Sequence, residues 1–184
     1  MKKLIVAFGA AALIGTPAIA GPSDSDEVTV NATVEKECSI EDVTVLNLGA
    51  LPIVETPGLD ALQLTDTETR AEQLAWVSCN FTNRMTLSAP TPLTSASGAA
   101  LLGTTEVGSQ PFVNEIDYRF RANNYRRSPE SRSDGGPSRT FDETGPIHKN
   151  IRFRAYVLGS DNSGVRPVAA DDYTATATIE ITTL

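Results

Sequence analysis

Histidine occurs once in this 184-residue chain, at His148, and cysteine only twice. An enzyme needs a nucleophile, a base or a metal set, and the usual carriers of such chemistry are scarce. No GxSxG, HExxH or phosphate-cradling glycine-rich loop is present. Asp171 with Asp172, and Asp161 with Asn162, lack the spacing of a calcium loop and read as turn residues. The chain is therefore not expected to be an enzyme or to need a cofactor, and His148, in the polar stretch GPIHKN, reads as a surface loop residue. Beyond residue 20 no apolar run approaches the roughly 18 residues of a membrane span. Long helical periodicity, internal repeats and low-complexity tracts are also missing. Basic residues are in the minority: without Lys2 and Lys3, thirteen stand against 23 acidic ones, a net charge of −10. That balance argues against nucleic acid or an anionic membrane as the partner of the whole surface.

The start, MKKLIVAFGAAALIGTPAIA, has the parts of a secretory signal. Two lysines precede an apolar run, and the small residues Ala18 and Ala20 mark a cleavage point. The reading is residues 1–20 as signal peptide, 21–37 as an N-terminal extension and 38–184 as one domain, exported to a periplasm or a cell surface. Two cysteines in an oxidising compartment, Cys38 and Cys79, favour a disulfide over a metal site.

Alternation with period two recurs along the chain. Val28, Val30, Ala32 and Val34 share one side of an extended segment, and 43–48 (VTVLNL) is strand-like up to Gly49. Ala75, Val77, Cys79 and Phe81 share a face, followed by Met85, Leu87 and Ala89. Tyr118, Phe120 and Ala122 alternate with arginines, as do Ile151, Phe153, Ala155 and Val157. The closing DYTATATIEITTL is the most regular alternation of all. The single helical candidate is 66–74, which contains TETRAEQL, and the stretches 128–139 and 159–164 read as loops. Many short strands joined by turns indicate an all-β antiparallel sandwich.

Charge is unevenly distributed. Residues 119–154 carry nine basic and four acidic side chains, whereas 21–118 carry three basic and fifteen acidic ones. Arg119, Arg121, Arg152 and Arg154 form a candidate assembly face that would meet an acidic surface of another copy. The Asn-x-Thr triplets at Asn31 and Asn80 carry little weight, since such triplets arise easily by chance.

The signal, the VTVNATV segment shortly before Cys38, LNLG after it, AWVSCNF, and the ending IRFRAYVLGSDNSGVRPVAADDYTATATIEITTL together resemble the spore coat protein U family. This family includes the major pilins of Csu-type archaic chaperone–usher pili, and the resemblance spans nearly the whole mature chain. It implies an incomplete immunoglobulin-like sandwich whose missing strand is supplied first by a periplasmic chaperone and then, at an outer-membrane usher, by the extension of the next subunit. Val28, Val30, Ala32 and Val34 would be that donor strand, and Glu35 to Glu37 a link too short to fold back. The chain is thus expected to be a pilus subunit serving adhesion or biofilm formation. The alternative is a monomeric secreted binding module whose residues 28–34 complete its own sheet.

Overall fold

The computed structural model describes residues 26–102 and 112–184. The cleavage point at Ala18 and Ala20 lies outside them. The chain divides into two units, Met1–Val34 and Glu35–Leu184. Of the first, residues 26–34 are described; they are irregular and solvent-exposed.

Among its described residues the second unit is all-β, with one short α-helix and a 3-10 turn at Gly159–Asn162. One sheet holds five strands in the order β1 (Cys38–Ile40), β2 (Thr69–Cys79), β10 (Ile147–Val157), β7 (Arg119–Asn123) and β8 (Glu130–Arg132), every neighbour antiparallel. The other holds β12 (Thr178–Thr183), β3 (Asn83–Ser88) and β9 (Arg139–Glu143), also antiparallel. Two minor pairings complete the set: β4 (Leu93–Thr94) with β6 (Glu115–Ile116), and β5 (Phe112–Val113) in parallel with β11 (Arg166–Pro167). The helix, α1 (Ala96–Leu101), lies between β4 and β5 in the sequence.

The expected alternations place the core. Ala75 and Val77 from β2, Met85 and Leu87 from β3, Phe120 and Ala122 from β7, and Ile151, Phe153 and Val157 from β10 are buried together in one cluster. Ala155 joins them, while Trp76, Arg84, Arg121, Arg152 and Arg154 alternate with them on the opposite faces, as the pleat requires. Within this apolar interior Asn83 is fully buried and satisfied. It accepts from the Tyr125 hydroxyl at 2.7 Å and donates to the Phe81 carbonyl at 3.0 Å. Gly159 marks a close approach between backbones: a Cβ there would stand 2.0 Å from the Thr65 carbonyl oxygen.

Several expectations need correction. The helix anticipated at 66–74 is instead the front of β2, paired with β10 over the eleven residues from Thr69 to Cys79. Ala, Glu, Gln and Leu favour a helix in isolation, but inward Ala71, Gln73, Ala75 and Val77 against outward Arg70, Glu72, Leu74 and Trp76 fit a pleated strand with a long partner. Residues 43–48 form no ladder; the apolar phase slips between Val45 and Leu46, and Val45 points into solvent. The closing strand is regular only over Thr178–Thr183. His148 sits on β10 and not in a loop, while the stretch 128–139 contains β8. Helix α1 was not anticipated from the sequence.

Candidate functional site

Where the two sheets should meet along one side, the domain is open. The β1–β2 ladder ends at Ile40 opposite Val77, and one further backbone bond runs from the Glu41 N–H to the Trp76 carbonyl at 2.9 Å. Side chains then replace the ladder. Glu41 accepts from the Trp76 N–H at 3.0 Å, and the Gln73 amide donates to the Asp42 carbonyl at 2.9 Å while accepting from the Thr44 N–H at 3.0 Å. The chain thus leaves the sheet at 41–48 but keeps Val43, Leu46 and Leu48 against the core. Across the opening, residues 173–177 are also without a ladder, apart from a two-bond bridge between Thr94 and Thr174. Among the described residues β12 pairs with β3 alone, so its other edge has no strand beside it.

Between these two segments lies a groove of about 670 Å³. Ile40, Val43, Leu46 and Leu48 line one wall, Tyr173, Ala177 and Ile179 the other, and Leu93, Tyr118, Phe120 and Ala155 also line it. Thr44, Thr174, Thr176 and Thr178 add polar groups to its rim, and Thr178 and Ile179 bring to it the edge of β12 that has no strand partner among the described residues.

The start of the second wall is pinned by Asp172. Its carboxylate accepts from the buried Ser95 hydroxyl, from the Ser97 hydroxyl at 2.7 Å and from the Ser97 N–H at 2.9 Å. Ser95 in turn caps α1 by accepting from the Gly98 N–H at 2.7 Å. These donors, the Ser95 hydroxyl foremost, hold the Asp172 carboxyl well below the usual carboxylate range. Tyr173 follows, its hydroxyl donating to the Val168 carbonyl at 3.0 Å. A sequence reading has little to mark this cluster beyond the serine-rich TSAS before a helix-forming GAALL.

Cys38 and Cys79 form the expected disulfide, directly opposite each other on β1 and β2. Val28, Val30 and Val34 are 84, 87 and 83 % exposed, with Ala32 exposed between them. They belong to no ladder among the described strands.

Arg119, Arg121, Arg152 and Arg154 stand together on the outer face of the five-stranded sheet, as neighbours on β7 and β10. Local acids meet much of their charge. Arg119 grips Asp161 with two bonds of 2.6 Å and reaches Glu130 at 3.1 Å. Glu72 takes Arg154 at 3.0 Å and Arg152 at 3.7 Å, and Glu130 also accepts from the Tyr156 hydroxyl. The Arg119 guanidinium holds the Asp161 carboxyl below its ordinary range, and burial, reinforced by Glu130, pushes the Tyr156 phenol up to about 12. At the disulfide end of this face Trp76 and His148 stack with ring centroids 4.7 Å apart, and Ser78 Oγ lies 2.7 Å from His148 Nδ1. Of the residues weighed from the sequence as calcium ligands, Asp161 pairs with Arg119, Asp172 accepts from Ser95 and Ser97, and Asn162 accepts from the Asp117 N–H at 2.8 Å. No known protein-family model matches the chain, and no curated protein matches it.

Proposed function

We propose that this protein is an exported structural subunit of a pilus, polymerised by insertion of residues 28–34 of one copy into the groove of the next. A single pairing of features carries the reading. The domain has an open apolar groove between residues 40–48 and 173–179, and the same chain carries an exposed, alternating apolar segment that joins no ladder among the described residues. An unfilled groove of this kind leaves backbone groups unpaired and is an aggregation hazard. A chaperone and an outer-membrane usher would be the partners that keep it covered until assembly. Four groove-filling side chains, Val28, Val30, Ala32 and Val34, contribute roughly 1 to 2 kcal/mol each on burial, and the backbone ladder adds to this.

The test is Val30→Asp in the exported chain. A carboxylate in the groove lacks a partner and costs several kcal/mol. Fibres should disappear from electron micrographs while the circular dichroism of the isolated subunit stays that of the wild type. Normal fibres from Val30→Asp would sink the proposal. The alternative, a monomeric binding module closed by its own extension, finds no supporting observation in residues 26–34, which are exposed and unladdered.

A further inference from the structure

The sequence presents Glu35 to Glu37 as a link between extension and domain. Its contacts are those of a fixed part of the domain. The Asn80 side chain accepts from the Glu37 N–H at 2.8 Å and donates to the Glu35 carbonyl at 2.7 Å. The Asn80 backbone N–H donates to the Glu37 carbonyl at 3.1 Å. Lys36 Nζ stands 5.8 Å from the centroid of the Phe81 ring. The next residue, Cys38, is bonded to Cys79, which directly precedes Asn80. Three hydrogen bonds, a cation–π contact and a covalent bond therefore act on four consecutive residues, and all arise from Cys79, Asn80 and Phe81. Glu35, Lys36 and Glu37 are exposed like Val34, so it is these contacts and not burial that set them apart from it, at the point where the compact unit begins.

We infer that Asn80 is a positioning residue for assembly. Its amide clamps residues 35–37 to the end of β2, so that in a fibre the segment leading out of each domain starts from a fixed point and successive subunits have little freedom to bend. An asparagine suits this place because its amide supplies an acceptor and a donor at once, matching an N–H and a carbonyl two residues apart. The triplet Asn80-Phe81-Thr82 thereby acquires a role unrelated to its resemblance to a glycosylation site. The inference rests on the donor-strand reading only for its effect on fibres; the clamp belongs to the single subunit.

The experiment compares the mature chain with Asn80→Ala and Asn80→Asp. In the wild-type subunit, backbone relaxation should change abruptly between Val34 and Glu35, and the Glu37 amide should exchange slowly. Asn80→Ala should speed Glu37 exchange about tenfold or more. The Val77 amide, within the ladder, serves as the control for folding and should keep its protection. Asn80→Asp retains the acceptor but not the donor, so Glu37 should stay protected while the Glu35 end loosens. Fibres of Asn80→Ala should form and show a shorter persistence length than those of the wild type. Residues 35–37 relaxing like 28–34 in the wild type, or Asn80→Ala fibres as straight as the wild type, would overturn the inference. Absence of wild-type fibres with a protected Glu37 amide would overturn the pilus reading and uphold the clamp.

Discussion

At the scale of single residues, polar side chains in this protein mostly serve to position backbone. Asn80 holds the link, Gln73 and Glu41 hold the first groove wall, and Asp172 holds the second. The Arg119–Asp161 pair is a tighter case, both side chains being only 17 % exposed. Removing one partner from such a site leaves the other poorly solvated. Asp161→Asn should lower stability by about 1 to 2 kcal/mol, below the cost of breaking a fully buried pair because some water remains. Urea unfolding at neutral pH reads this directly. The pH dependence has a definite sign. Arg119 lowers the Asp161 pKa in the folded state, so the pair stabilises above the unfolded carboxylate pKa and that contribution is lost as pH falls through the folded value. Asp161→Asn should remove this part of the acid sensitivity, and an unchanged acid profile would count against the assignment.

At the scale of elements, the informative strands are those that stop early. β1 spans only Cys38–Ile40, an edge strand that three ladder positions would hold weakly. The disulfide compensates by closing a loop across a sequence separation of 41. Reduction should cost about 4 kcal/mol on the loop-entropy account. It should also release β1 ahead of the rest, seen as faster amide exchange at Ser39 and Ile40 while Phe153 on β10 remains protected. Global unfolding midpoints that do not move on reduction would contradict this. The failed helix at 66–74 and the missing ladder at 43–48 have opposite origins. In the first, pairing with β10 overrides local helix preference; in the second, apolar alternation exists but the side chains of Glu41 and Gln73 take up backbone groups that a ladder with β2 would have used. The phase slip at Val45 to Leu46 was the one visible sign of the latter.

At the scale of the whole molecule, a groove of about 670 Å³ lies beside an edge of β12 that has no strand partner among the described residues. Filling it should stabilise the domain by mass action. A synthetic peptide with the sequence of residues 27–36, added in large excess to the mature chain, should raise its melting temperature. At a hundredfold excess over the dissociation constant the gain is about 2.7 kcal/mol. The same peptide with aspartate replacing Val30 should have no such effect, and equal shifts from both peptides would argue against groove occupancy.

The sequence by itself determined the fold class, the disulfide and the inward face of nearly every core strand. Those properties follow from period-two burial and from the chemistry of two cysteines, both local or compositional. It also set Val28, Val30, Ala32 and Val34 in an alternation that forms no strand in the described structure. Only the tertiary structure decided that, among the described residues, β12 has β3 on one edge and no strand on the other, because that is a relation among strands and not a property of any one segment. For the same reason it alone gave Asn80 its partners at Glu35 and Glu37, and Asp172 its partners at Ser95 and Ser97. These contacts span 43 to 77 residues of chain, distances over which sequence pattern carries no signal and packing makes the choice.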